Sequence, residues 1–424
     1  VHLPSVAARG GDPATGAAPA STGAAPTLHS PLTILRVLSS LAARLPPGRA
    51  SQLDTLLRHQ PAATPRPTGI VNSHNEWDPL EEVIVGRVEG AVIPSNHVIV
   101  TSNIPGTTAK LFGLAAGRRY PKFLVEPAQE ELEGFIDLLV QLGVTVRRPE
   151  VPDNKASFQT PNWKAHGFVN ACPRDCLLVI GDEIIETPMA WRDRYFETFS
   201  YRPLLKEYFL RGARWTAAPK PQLLDSLYVR NFQPAAHGEP VKYVTTEAEP
   251  VFDAADFVRC GEDLFVIRSN VTNELGIAWL QRHLGDRYRI HTIEQRCERP
   301  MHIDTTFMPL APGKLLINPE YLDVNTLPEM FRSWDVRAIP EPDPIRDPRL
   351  KLASMCGKWL NMNVLMLDEK RVIVEKHHTT TIRFFEDWGF EPIPCSFLHY
   401  APFGGSFHCA TLDIRRRGTL ERYF

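Results

Sequence analysis

The sequence predicts an α/β fold in which a strand–strand–helix–strand module recurs around a closed ring. Three observations carry that expectation. A short apolar hairpin, a helical stretch and a further strand follow one another several times between residues 177 and 394. A further copy is split between the two ends of the chain, which brings those ends together in one unit. The 424 residues, 43% of them hydrophobic, can fill a large closed core, although this length also allows two or three domains.

In chain order, residues 1–27 are nearly all Ala, Gly, Pro, Thr and Ser, with one Arg and one Asp. They carry too little apolar surface to offset ordering entropy and are expected to be disordered. Over 30–59, Leu32, Ile34, Leu35, Leu38 and Leu41 can line one helical side, while Arg36, Arg44, Arg49 and Arg58 face a single acid, Asp54. That pattern fits a loosely attached helix pair, or a targeting extension of the mitochondrial kind. The 65–69 stretch reads as a linker, so the expected division is an extension over 1–66 and a main domain over 67–424.

The modules follow. Residues 177–180 and 183–186 flank the turn Gly181–Asp182, a hairpin signal, and a helical stretch is expected over 191–211. Next, 257–259 and 264–267 flank a polar turn and lead to a helix over 273–284 and a strand over 288–293. The third unit runs from Thr305 through 314–317 to a helix over 327–333 and a strand over 335–339. The fourth has strands at 364–367 and 371–374, a helix over 379–388 and a strand at 392–394. The fifth pairs 409–414 with 82–86; its helix is 127–142, where Leu132, Phe135, Ile136, Leu139 and Leu142 recur at spacings of three and four, and 144–147 completes it. Five such units meeting end to end describe the radial repetition of a propeller.

Composition excludes several classes. The net charge is −2, from 47 basic and 49 acidic residues, and makes no case for nucleic acid or an anionic membrane. No apolar run reaches the ~18 residues of a membrane helix. The seven cysteines (Cys172, Cys176, Cys260, Cys297, Cys356, Cys395 and Cys409) are odd in number and form no Cys-x-x-Cys pair. That argues against a zinc site and a disulfide framework, so a reducing, cytoplasmic setting is expected, with no metal or other cofactor.

Chemistry concentrates just before the first strand of each module. Asp175 stands there in the first, Asp253 and Asp256 in the second, His302 and Asp304 in the third, and Cys409 in the fifth, after the flexible pair Gly404–Gly405. Charged groups at the start of apolar strands are costly as mere packing. If every module turns the same strand end to the axis, a thiol, an imidazole and several carboxylates converge, a set suited to covalent attack on a cationic carbon. His408, one strand step from Cys409, is expected to face away.

Residues 71–86, 173–175, 252–256, 301–307 and 404–418 together resemble the amidinotransferase family, over a span from about residue 70 to the C-terminus. The resemblance implies a five-bladed β/α-propeller with five-fold pseudosymmetry, built of ββαβ modules. It implies Cys409 as the nucleophile, His302 as the proton donor and acceptor, and Asp253 as the group orienting His302. Asp175 and Asp304 would grip a guanidinium, with Met301, Tyr321, Cys356 and Gly357 lining the donor pocket. The implied partners are a guanidino donor, by default L-arginine, and a primary amine acceptor, in a natural-product pathway or elsewhere; a homodimer is compatible with this. A guanidine hydrolase, or an inactive binding homologue, remains open on the same fold. Two stretches depart from the family: Tyr321 stands where arginine-using members commonly carry Arg, and Cys356–Gly357 where they carry a pair of serines. Both lie where the donor's amino-acid end is expected.

Overall fold

The computed structural model describes residues 69–424. The extension expected over 1–66, including the helical stretch at 30–59, lies outside the described residues.

Strand β1 (Leu80–Val85) runs parallel to β2 (Thr145–Arg147) across the helix Lys122–Gln141. A small hairpin, β3 (Ser157–Gln159) with β4 (Lys164–His166), stands apart from the modules. Then come β5 (Leu177–Ile180), β6 (Glu183–Glu186) and β7 (Arg214–Ala217), followed by β8 (Phe257–Cys260), β9 (Asp263–Val266) and β10 (Arg289–Thr292). The next two sheets are β11 (Phe307–Ala311), β12 (Lys314–Ile317) and β13 (Asp335–Ala338), and β14 (Leu365–Met366), β15 (Arg371–Glu375) and β16 (Glu391–Cys395). Last, β17 (Thr411–Arg416) turns back onto β1, with Val83 opposite Asp413 and Val85 opposite Thr411. The split fifth module therefore forms.

Among the described residues, all five three-stranded sheets share one order: an antiparallel pair whose second strand takes the third in parallel. A parallel partner needs a crossover rather than a tight turn. Helices Lys122–Gln141, Arg202–Leu210, Glu274–Leu284 and Thr379–Asp387 supply four of the crossovers. Burial falls along each sheet. β5, β6, β8 and β9 are buried throughout, which suits the apolar run of β5 and leaves Glu183, Glu186, Arg259 and Asp263 of the other three buried as well. The third strands begin on exposed polar or charged residues, Thr145, Arg214, Arg289, Asp335 and Glu391. Charge on such an edge discourages pairing with another chain.

Three expected elements differ. The fifth helix starts at Lys122, not Pro127, because Leu124 and Ala128 extend the buried stripe of Leu132, Phe135 and Leu139 by one turn past the proline. The 191–211 stretch is two 3₁₀ turns, Arg192–Arg194 and Glu197–Tyr201, ahead of the helix Arg202–Leu210. There Arg194 and Glu197 turn inward as a two-pronged ion pair (2.5 and 2.7 Å). The crossover expected as a helix over 327–333 is the 3₁₀ segment Glu329–Ser333, capped by Pro328 and anchored by Phe331 against Trp334 and Phe424.

Candidate active site

One short turn precedes the first strand of each sheet, and each turn carries a polar side chain inward. The turn Pro173–Cys176 holds Asp175 ahead of β5, and Ala254–Asp256 follows Asp253 ahead of β8. Ile303–Thr305 carries Asp304 behind His302 ahead of β11. Leu360–Met362 leads to Asn363 ahead of β14, and a turn closed by Ala410 N–H donating to Ser406 O presents Cys409 ahead of β17. Asn363 fills the one module in which the sequence reading found no polar group. Its signal was visible: Asn361-Met362-Asn363 stands at the register position already used by the other acids.

The five turns bring the expected groups together. His302 Nε2 lies 3.2 Å from Asp253 Oδ2, and His302 Nδ1 lies 3.7 Å from Asp175 Oδ1. Donor atoms of Asp175, His302 and Cys409 all fall within 4.8 Å of one another. Cys409 Sγ is 3.3 Å from Asp304 Oδ2 and accepts a hydrogen bond from Asn363 Nδ2 at 3.1 Å. The Asn363 amide also donates to Asp304 Oδ2 at 2.7 Å, while its oxygen accepts the backbone N–H groups of Ser406 and Cys409. One amide thus fixes the nucleophile candidate and a carboxylate in the same frame.

Backbone strain is placed at the imidazole. His302 has φ 64° with ψ 129°, a conformation that costs an L-residue about 1–3 kcal/mol. Asp256 restrains it: Oδ1 accepts the His302 backbone N–H at 2.9 Å, while Oδ2 accepts from Ser269 and Thr272. Asp256 therefore positions the histidine from behind, and burial pushes its carboxyl up to about 7. At the thiol, Gly405 is required by close approach, since a Cβ there would sit 2.3 Å from Cys409 Cβ.

His408 does not face away. Residues 406–410 form a turn rather than a strand, so strand alternation does not apply, and His408 Nδ1 lies 2.9 Å from Asp304 Oδ2. Its other nitrogen is 3.3 Å from Glu76 Oε2. Glu76 belongs to a buried network in which Arg174, Arg259 and Arg416 converge on Asp413. Arg174 Nε also donates to the carbonyls of His408 and Thr411, tying that network to the thiol's turn.

The electrostatics are uneven. A thiol–thiol hydrogen bond with Cys172, then burial and the Asp304 carboxylate, hold the Cys409 thiol well above its ordinary range; the bond to His302 pulls the other way. Burial disfavours the charged form of His302, yet Asp175, Asp253 and Cys409 together hold its imidazole well above the usual value. For Asp304, burial is outweighed by His408, His302 and the thiol, leaving a depressed carboxyl. The resting pair is a neutral thiol beside an imidazolium.

Three buried carboxylate oxygens in this cluster, Asp175 Oδ1, Asp253 Oδ1 and Asp304 Oδ1, accept no hydrogen bond from the protein. The Asp175, His302 and Cys409 donor set also has the composition a zinc ion takes. A cavity of about 290 Å³ opens onto Cys409, His302 and Asp304, and Met301, Tyr321, Cys356 and Gly357 line it as expected. Asp175 and Asp253 touch His302 instead. All seven cysteines are free, and no helix among the described residues is long and apolar enough to cross a membrane.

No protein-family model matches the chain. Curated proteins do. The chain is 51% identical over 356 residues to an L-arginine:L-lysine amidinotransferase of Pseudomonas savastanoi pv. phaseolicola, covering 84% of this chain and 97% of that one. It is 46% identical over 395 residues to the mitochondrial glycine amidinotransferase of Danio rerio, covering 91% of this chain and 90% of that one. Among solved structures, an amidinotransferase from Microseira wollei in the saxitoxin biosynthetic pathway superposes with a TM-score of 0.80 at 56% identity, covering 84% of this chain and 99% of that one. Identity at this level, spread over nearly the whole of each relative, places the chain in the amidinotransferase family.

Proposed function

We propose that the protein moves an amidino group from L-arginine to a primary amine through an S-amidino intermediate on Cys409. The observation that carries this reading is a buried thiol 3.3 Å from Asp304, which lines the cavity and whose Oδ1 accepts no hydrogen bond among the described residues, with Asp175 Oδ1 and Asp253 Oδ1 likewise unbonded beside His302. Buried acceptors are nearly always satisfied, so these imply a ligand rich in N–H donors. A guanidinium is planar, permanently charged and carries its donors in a fork that matches carboxylates. Arginine as donor is supported by the name of the Pseudomonas relative, and a biosynthetic role by that of the Microseira enzyme.

The resting thiol is protonated, so the donor itself supplies the activation. A guanidinium bound at Asp175 and Asp304 offsets the carboxylate charge that disfavours the thiolate, and the thiol proton leaves to solvent. The thiolate attacks the guanidinium carbon and a C–S bond forms. His302, already protonated and oriented by Asp253, gives its proton to the departing nitrogen as the C–N bond breaks. Ornithine leaves. The acceptor amine then attacks the same carbon, His302 takes a proton from it, and the C–S bond breaks to return the thiolate.

The shared sheet order and the fall in burial from first to third strand support reading the five sheets as blades of a propeller, with the reacting groups at its axis. The 356 residues matched by the Pseudomonas relative are close to the length of the span 67–424, which supports reading that span as the catalytic unit. The test is kinetic and chemical. Arginine alone should release ornithine in an amount stoichiometric with enzyme and leave an amidino adduct on Cys409, and with an amine the double-reciprocal lines should be parallel. Intersecting lines without an adduct would overturn the two-step scheme. Repeated release of urea without any amine would mean hydrolysis instead.

A further inference from the structure

Among the described residues, one permanently cationic side chain, Arg299, lines the cavity over Cys409. Its guanidinium is held but not neutralised. Nη1 donates to two backbone carbonyls, Thr101 O at 3.3 Å and Ser102 O at 3.0 Å, near the C-terminal end of the helix Val98–Asn103. Among the described residues no carboxylate lies within ion-pair distance of Arg299, in contrast to Arg174, Arg194, Arg259 and Arg416, which are all paired. The nearby Lys358 is also committed: its Nζ lies 2.7 Å from Glu320 and 3.3 Å from Glu341. The phenol of Tyr321 is engaged with the Cys297 thiol, and burial keeps it neutral. One cavity therefore offers unpartnered carboxylate oxygen to a cation and one unpaired guanidinium to an anion.

We propose that Arg299 is the specificity-determining residue for an anionic end of the donor, and that it binds the α-carboxylate of an amino-acid guanidine. This rests on the amidino-transfer reading above. The carbonyls of Thr101 and Ser102 fix one nitrogen, which leaves Nη2 and Nε for a carboxylate and lowers the ordering cost of forming that pair. Tyr321 then serves as wall rather than as anchor, and the departure at that position no longer removes the carboxylate grip.

The test compares three donors that share the guanidinium: arginine, argininamide, which keeps the α-amino group but loses the carboxylate charge, and agmatine, which loses both. Steady-state donor turnover with lysine as the amine acceptor, and donor-alone adduct formation on Cys409, are measured for wild type, Arg299→Gln and Arg299→Lys. Wild type should prefer arginine over argininamide by about ten- to a hundredfold in kcat/KM, the range of a charge-assisted pair. Arg299→Gln should collapse that ratio through KM rather than kcat, and Arg299→Lys should recover part of it. A purely structural role at the end of the Val98–Asn103 helix would lower all three donors alike and leave the ratio in place, which overturns the proposal. So does wild type using arginine and argininamide equally, a result that needs no variant to fold. If no guanidine leaves an adduct on Cys409, the transfer reading itself fails, whatever Arg299 does.

Discussion

Replacing Asp304 with asparagine is expected to move two rates in opposite directions. The side chain is buried, its Oδ2 accepts from Asn363 (2.7 Å) and His408 (2.9 Å), and its Oδ1 accepts from nothing in the protein. In Asp304→Asn the amide oxygen can keep both of those bonds, so the frame survives, while the amide nitrogen takes the place of the free oxygen. A cationic donor then meets N–H groups where it needs an anion. The loss is one charge-assisted hydrogen bond in a site closed to water, about 2–3 kcal/mol. That corresponds to a roughly 30- to 160-fold fall in donor kcat/KM. The thiol should respond the other way. Cys172 and burial keep Cys409 protonated, and the Asp304 carboxylate adds to them from 3.3 Å. With that charge gone, more thiolate is present at a given pH, and a neutral alkylating agent such as iodoacetamide should label Cys409 faster. Labelling read by peptide mass spectrometry across pH, beside steady-state donor turnover with an amine acceptor, gives both numbers from one preparation. If labelling and turnover fall together, Asp304 supports the thiolate instead of opposing it, and its assignment as a guanidinium anchor is wrong.

Cys409→Ser should abolish turnover with the fold intact, because a hydroxyl is a far weaker nucleophile at neutral pH; an adduct trapped on another cysteine would reassign the nucleophile. Asp253→Asn should shift the alkaline limb of the donor pH profile to lower pH. In the proposed mechanism the imidazolium is the proton donor, so activity is lost as pH rises through its folded-state value, and removing the Asp253 charge lowers that value; an unmoved limb would dissociate Asp253 from His302. Asp413→Ala should destabilise the fold by about 3–5 kcal/mol in urea unfolding near neutral pH, since it leaves three buried arginines short of a partner. Burial raises the Asp413 carboxyl, but Arg174, Arg416 and Arg259 bring it well below the unfolded value. Its stabilising effect is therefore present above the unfolded value and lost as pH falls through the folded one, so wild type and variant should converge on acidification.

The repeat was legible because the buried strands carry short apolar runs of two to four residues. β5, β8 and β15 each fall within a residue of the runs that announced them. What pattern missed were the edges and the tight crossovers. Strand β7 is the four residues Arg214–Ala217, half exposed and neither apolar nor cleanly alternating, so only its parallel partner Glu183–Glu186 makes it a strand. Residues 327–334 carry Leu327, Met330, Phe331 and Trp334 at helical spacing, yet Pro328 and the ring packing of Phe331 hold Glu329–Ser333 as a 3₁₀ segment, tighter than an α-turn. Propensity cannot see a constraint that arrives from another part of the chain.

The same distinction separates the two halves of the site. Cys409, His302, Asp253, Asp175 and Asp304 could be singled out because a charge at the mouth of an apolar run is conspicuous. Asn363 is uncharged and sits among ordinary polar residues, and only the distances from its amide to Asp304 and Cys409 reveal what it holds. His408 was misjudged by applying strand geometry to a turn. Glu76 acts across modules: it lies against Arg174, Arg259 and His408, which belong to three different units.

That cross-module wiring has a consequence for folding as well as for chemistry. Asp175, Asp253, His302, Asn363 and Cys409 precede the first strands of five different sheets, and each is buried. Several of these groups complete their partners only from another module: His302 meets Asp253 and Asp175, and Cys409 meets Asn363 and Asp304. A carboxylate such as Asp175 needs Arg194 at 2.7 Å from its own unit and His302 from two units away before burial becomes tolerable. Arg174 likewise needs Asp413 and Glu76, from the two ends of the described chain. The apolar runs can drive each sheet together, but the polar ends are satisfied only when all five meet. Pairing of β17 with β1 and assembly of the thiol's surroundings are then coupled, so a variant that loosens that pairing should expose Cys409 to alkylation before it unfolds the remaining sheets.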